Sequence, residues 1–168
     1  MGEPHRIVHP LDPVFDERSR VLVLGTMPSP ASRAAGFYYG HPRNRFWGVL
    51  AALFDEPEPR SAEERAAFAL AHRIALWDVL ASCTIERASD ASIADPVPND
   101  LSAVLGAAPI EAVFTTGAKA AALYRRFNAD LADRLPHVAL PSTSPANARM
   151  RLSDLVEAYR PIQNALRP

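Results

Sequence analysis

Apolar and polar positions along the chain follow two alternating periods. The run RVLVLGT, residues 20–26, is apolar through its middle and ends on Gly25, the pattern of a short buried strand. Two prolines in MPSPAS then break regular structure. NRFWGVLAALF, 44–54, sets Phe46, Trp47, Leu50 and Phe54 at helical spacing, and DEPEPR ends that helix. SAEERAAFALAHR opens with Ser61 and Glu64 at capping-box spacing, which predicts a second helix. IALWDVL, 74–80, reads as a second strand. ERASDASIADPVPND, 86–100, is polar and proline-containing and predicts a loop, after which Asp100 stands where it can cap a short helix, LSAVLGAA. IEAVFTTG, 110–117, reads as a third strand, followed by a helix carrying Lys119, Leu123 and Tyr124. HVALPS, 137–142, reads as a fourth strand and TSPANARM as a loop. Ser153 stands where it can cap the last helix, and Pro161 predicts a kink or an end within it.

Strand and helix alternate with no internal repeat, which predicts an α/β fold with a parallel sheet and helices on both faces. Such sheets bind ligands beyond the carboxyl ends of their strands. That rim should carry GTMPSPAS and PSTSPANAR. A chain of 168 residues suits one domain, residues 1–168, with 1–18 as an N-terminal extension.

Composition adds exclusions. Hydrophobic residues make up 48% and charged residues 22%, as in soluble globular proteins. No apolar run is long enough to span a bilayer, so no membrane partner is expected. MGEPHRIVHPLDP has neither a signal-peptide core nor a myristoylation signal. The expected location is therefore cytoplasmic, at the nucleoid in a prokaryote. The single Cys83 excludes an internal disulfide and an intrachain four-cysteine iron–sulfur cluster, and reads as a small buried hydrophobe.

Net charge is −1, but it is unevenly spread. From Arg18 to Phe54 there are five arginines and no acid; from Arg134 to Ser153 there are three more, again with no acid. Between them, Asp55 to Asp133 holds thirteen acids against seven bases. If the two basic segments share a face, that face attracts phosphates. Arginine surface arising from coding bias fits equally, since the chain has seventeen arginines and one lysine.

Metal and nucleophile chemistry find little support. The histidines at 5, 9, 41, 72 and 137 lack ligand spacing with Cys or carboxylates, so no metal or other cofactor is expected. GTMPSP lacks the Lys and second Gly of a phosphate-binding loop, and no GxSxG elbow occurs. The rim motifs remain. Gly25 lets backbone approach a ligand closely. Ser142, Thr143 and Ser144 offer phosphate donors or are plain turn residues. Tyr38, Tyr39 and Phe46 offer faces for a base, although core packing suits Phe46 and Trp47 better. Asn44 precedes RFWGVL, so spacing alone favours a helix cap.

Taken together, VLVLGTMPSPAS, FYYGHPRNRFW, IALWDVLASC, VFTTG and LPSTSPANA resemble the uracil-DNA glycosylase superfamily, and within it the hypoxanthine-DNA (deoxyinosine) glycosylases. The similarity runs from about Arg20 to the last helix. It implies a three-layer α/β/α sandwich around a four-stranded parallel sheet. It also implies excision of a deaminated base, hypoxanthine or alternatively uracil, from DNA by hydrolysis of the N-glycosidic bond; the chain is expected to act as a monomer. Met27 stands where many relatives carry a water-activating Asp or Asn, and Leu140 where they often carry His. The resemblance assigns catalysis to Asn44. It implies base contacts from Gly25, Thr26, Met27, Tyr39, Phe46 and Asp78, the last with a structural cap as its other reading. It implies DNA contacts from Arg43, Arg45, Ser142, Thr143, Ser144, Asn147 and Arg149, with Arg149 or Met150 filling the gap left by an extruded nucleotide. A lyase needs an amine, and nothing sets Lys119, the one lysine, at the rim. A catalytically silent nucleic-acid binder and a small-metabolite enzyme are the readings from other classes.

Overall fold

The structure is a computed structural model that describes residues 3–86 and 90–167. In chain order the strands are β1 (His5–Val8), β2 (Val21–Gly25), β3 (Ile74–Asp78), β4 (Leu80–Ile85), β5 (Ala94–Pro98), β6 (Ala112–Thr116) and β7 (His137–Leu140). The helices are α1 (Pro30–Ala35), α2 (Phe46–Phe54), α3 (Ala62–Ala71), α4 (Ser102–Leu105), α5 (Ala118–Phe127), α6 (Ala129–Arg134) and α7 (Leu152–Ala165). Four strands form a parallel sheet in the order β3-β2-β6-β7.

Side chains on β2 point alternately to the two faces, and each face has its own core. Val21 and Val23 meet Ile74, Leu76 and Phe114, under Trp47 and Leu50 of α2, Phe68 of α3 and Leu155 and Tyr159 of α7. Leu22 and Leu24 meet Ala75 and Val113, under Val104 of α4, Leu123 and Tyr124 of α5 and Leu131 of α6. All of β2 from Val21 to Leu24 is fully buried. Each such side chain contributes roughly 1.5–3 kcal/mol of burial. The three-layer α/β/α sandwich is therefore as the resemblance implied, with β2 at its centre.

A second sheet was not expected. β1, β4 and β5 pair antiparallel in the order β1-β4-β5. The 86–100 stretch is thus only partly loop; residues 87–89 of it lie outside the described residues. Its strand holds Pro96 and Pro98, which hid it from propensity, and both are tolerated because β5 is an edge strand with register shifts against β4. The Arg6 guanidinium ties the edges together by donating to the Asp95 carbonyl and to Ser82 Oγ. Residues 5–8 therefore join the fold as β1, and Val14 forms an antiparallel bridge with Leu76.

Other boundaries also moved. The second predicted strand, 74–80, is split at Val79, because the Val79 and Leu80 N–H groups turn to the Gly25 and Thr26 carbonyls. After MPSP the chain forms α1, with Ser29 accepting from the Ser32 N–H and Pro30 at the first position, where a missing N–H costs nothing. The Ser61–Glu64 capping box is formed as predicted, and Asp100 accepts from the Ser102 N–H. Pro161 does not end α7. Buried Leu155, Tyr159 and Ile162 hold the helix against the core on both sides of it. Ser153 is not the cap of α7; Asp154 reaches back to the Arg151 N–H instead.

Candidate active site

Beyond the carboxyl ends of β2, β3 and β6 lies a cavity of about 110 Å3. Its floor is Gly25, the last residue of β2. A Cβ built there would sit 2.5 Å from Asp78 Oδ1, 3.3 Å from the Tyr39 hydroxyl and 3.6 Å from Thr116 Oγ1. Three polar atoms from three segments thus converge over one glycine, and only glycine leaves them room.

Asn44 forms one wall. Its Oδ1 accepts from the Phe46 N–H at 2.9 Å and from the Thr143 hydroxyl at 2.8 Å. A backbone N–H can only donate, so the amide orientation is fixed by the network. The carbonyl is used up as an Asx turn at the start of α2, and the NH2 is the group left for the cavity. The cap reading of Asn44 and its place in the cavity therefore coexist. Thr143 is buried and its Oγ faces Asn44, so it holds that amide.

Tyr39 lies flat on Phe46, with ring centroids 3.8 Å apart and planes 13° from parallel. Its hydroxyl is 3.0 Å from Thr116 Oγ1. Tyr39 holds a left-handed backbone (φ 53°), which costs a non-glycine residue about 1–3 kcal/mol. That conformation swings the ring to the cavity. Burial, then the nearby Asp78 carboxylate, pushes the Tyr39 phenol well above its ordinary range, so it stays a neutral hydroxyl. The Tyr38 phenol is raised by the same two causes, and it donates to the Asp12 carbonyl.

Asp78, at the end of β3, is 4% exposed and reaches the cavity. A buried carboxylate needs a partner, and that partner is His9, whose Nε2 lies 2.7 Å from Asp78 Oδ2. Thr26 follows β2 and also lines the cavity; its hydroxyl is buried with no hydrogen-bond partner among the described residues.

Gly25, Thr26, Met27, Tyr39, Asn44 and Asp78 line one cavity, and Ser142 and Thr143, expected as DNA contacts, line it too. Other expected contacts do not reach it. Phe46 is fully buried beneath Tyr39, so it backs the stacking face rather than forming it. Arg45 is spent inside the protein. Its guanidinium donates to the carbonyls of Ser144, Asn147 and Met150, and its N–H donates to the Thr143 carbonyl. Ser144 accepts from the Ala146 N–H and Asn147 donates to the Ser142 carbonyl, so both shape the loop 141–150. Arg43, just before α2, and Arg149, near the end of that loop, are exposed. Leu140 is buried in β7, and Lys119 lies in the first turn of α5, away from the cavity lining.

Thr116 and His9, which touch Tyr39 and Asp78, were not among the expected site residues. Thr116 was legible in principle, since VFTTG puts it at a strand end on the rim. His9 carried no signal, because only the fold brings residue 9 to residue 78.

A sequence profile of the uracil DNA glycosylase superfamily matches residues 13–166. The chain belongs to this superfamily, and so to the DNA glycosylases, hydrolases of N-glycosyl bonds that act on DNA. It is 32% identical over 137 residues to a hypoxanthine DNA glycosylase of Methanosarcina acetivorans, covering 81% of this chain and 85% of that one. It is 34% identical over 98 residues to a hypoxanthine DNA glycosylase of Methanosarcina barkeri, covering 58% and 62%. Its fold is similar to an NMR structure of a protein from Methanosarcina acetivorans provisionally described as a uracil DNA glycosylase. That match has a TM-score of 0.77 at 28% identity over 95% of this chain and 99% of the other. No helix among the described residues is long and apolar enough to cross a membrane.

Proposed function

We propose that the chain is a monofunctional glycosylase that removes hypoxanthine from deoxyinosine in DNA, leaving an abasic site. The observation that carries this reading is the pairing of an amide donor, Asn44, with a buried carboxylate acceptor, Asp78, around one small cavity beside an aromatic face. The names of the two Methanosarcina relatives support the choice of base.

A base in a duplex must leave the stack before its glycosidic bond can be reached, at a cost of a few kcal/mol. Arg43 and Arg149 offset part of that cost through phosphates. The extruded base lies against Tyr39, its N1–H donates to Asp78 Oδ1, and the unpartnered Thr26 hydroxyl donates to its carbonyl. Bond breaking leaves positive charge on the sugar and negative charge on the base. Fixed donors and the Thr26–Met27 backbone stabilise the leaving base without reorganising. Asn44 acts through its NH2, which holds a water by the oxygen and aims its free lone pair at C1′; the proton that the water sheds on bonding to C1′ goes to the departing base anion. Both lone pairs of the amide carbonyl are already engaged. Asn44 is therefore a positioning device and not a base, worth on the order of a hundredfold in rate. Lys119 lies outside the cavity, so the product strand stays unbroken until alkali or heat is applied.

Uracil is the second reading, because its N3–H offers Asp78 the same donor. Oligonucleotides carrying deoxyinosine, uracil or xanthine, single-stranded and opposite each base, separate the two after alkaline treatment. Cleavage at deoxyinosine supports the proposal. Cleavage at uracil alone replaces it, and no cleavage on any substrate removes it.

A further inference from the structure

Deamination turns an exocyclic amine into a carbonyl and, beside it, gives a ring nitrogen a proton that a protein can read. Adenine and cytosine present a bare ring nitrogen at N1 and N3; hypoxanthine and uracil present an N–H at the same places. A group that can only accept hydrogen bonds therefore separates deaminated bases from their parents, provided it cannot become a donor.

The surroundings of Asp78 meet that condition. The Leu11 backbone N–H lies 3.2 Å from His9 Nδ1. That N–H can only donate, so Nδ1 is an acceptor and the ring proton sits on Nε2. Nε2 lies 2.7 Å from Asp78 Oδ2, and both side chains are almost fully buried. Oδ2 is thus an acceptor already in use. Oδ1 remains; it stands over Gly25, and no hydrogen bond to it is found among the described residues. The chain up to β1 and its following turn carries His9, and the end of β3 carries Asp78.

We propose that His9 is a positioning residue that locks Asp78 as an acceptor-only reader of the Watson–Crick edge, admitting bases with a ring N–H and rejecting those with a bare ring nitrogen. The proposal rests on the glycosylase reading and deepens it. It sorts hypoxanthine from adenine and uracil from cytosine. It does not sort hypoxanthine from guanine, which share N1–H.

Asp78→Asn gives the sharpest test. His9 Nε2–H still requires an oxygen facing it, so the amide NH2 takes the place of Oδ1 over Gly25. The pocket becomes a donor. Excision of deoxyinosine should fall at least about tenfold, and the preference for hypoxanthine over adenine should narrow by a similar factor. Adding His9→Leu to Asp78→Asn frees the amide to turn its oxygen to the cavity. The double variant should then recover deoxyinosine excision relative to Asp78→Asn alone. A merely structural His9 would make the double variant worse, and that result overturns the proposal. His9→Gln keeps a donor toward Oδ2 and should retain most of the preference. A measurement on the unaltered protein guards against loss of folding. Affinity for an oligonucleotide with 1-methyl-deoxyinosine, which has no N1–H, should be weaker than for deoxyinosine, and equal affinity overturns the proposal. If the unaltered protein excises nothing, the glycosylase reading fails by itself. The relative affinities for uncleavable 2′-fluoro-deoxyinosine and 2′-fluoro-deoxyadenosine still decide the role of the dyad, with no preference counting against it.

Discussion

At the scale of single residues, the amide of Asn44 depends on two donors that lie far apart in sequence. One is the next turn of its own segment, and the other is Thr143, almost a hundred positions away. Thr143→Val keeps the shape and removes the hydroxyl. The amide then loses one of its two anchors, so kcat on deoxyinosine should fall about tenfold while stability changes by only about 1 kcal/mol. Single-turnover rates with thermal unfolding check this, and an unchanged rate would mean that Thr143 does not hold the amide. The residue types of this site were legible in part. Asn44, Asp78 and Tyr39 stood out by motif and position. Arg45 and Phe46 were assigned to DNA and base, yet the structure spends them on loop carbonyls and on the core. Side-chain type does not tell which way a residue faces at a helix start, where one step turns it by about 100°.

At the scale of elements, the loop after β7 is held to the start of α2 by the Arg45 guanidinium through three carbonyls, beside the single hydroxyl bond from Thr143 to Asn44. Arg45 and its exposed neighbours should therefore differ in a way that salt reveals. Arg43→Ala and Arg149→Ala should each weaken DNA binding and reduce the salt slope of log K by about one. Arg45→Ala should weaken binding with the slope unchanged, because it removes loop order and not a phosphate contact. Hydrogen exchange across residues 141–150 should rise in that variant only. A second element carries a separable defect. Pro161 lies inside α7 and denies the Glu157 carbonyl its helical donor. Pro161→Ala should raise stability, by up to about 3 kcal/mol, read by chemical denaturation. A lower stability would mean that packing of the proline ring outweighs the lost bond.

At the scale of the whole molecule, the parallel sheet was legible because its strands are short apolar runs separated by helical periods. The antiparallel sheet was not. β1 has one buried residue in four, and β5 contains two prolines, so neither carries an apolar pattern of its own. They are strands because β4 lies between them. This long-range pairing also brings His9 to Asp78, a contact that the sequence could not show. Removing residues 1–8 should expose the β4 edge. The melting temperature should drop, and self-association should appear in light scattering. A truncated chain that melts unchanged would show that β1 is an ornament to the fold.

In the proposed reaction the cavity over Gly25 accepts an extruded hypoxanthine and Asn44 directs water at its sugar. Release of the free base from a deoxyinosine oligonucleotide, followed by mass spectrometry in a single turnover, tests it most directly. Free hypoxanthine and an intact abasic strand are expected from the unaltered protein. Asn44→Ala should release it roughly a hundredfold more slowly, with DNA affinity retained. No hypoxanthine from the unaltered protein, or equal release by Asn44→Ala, would contradict it.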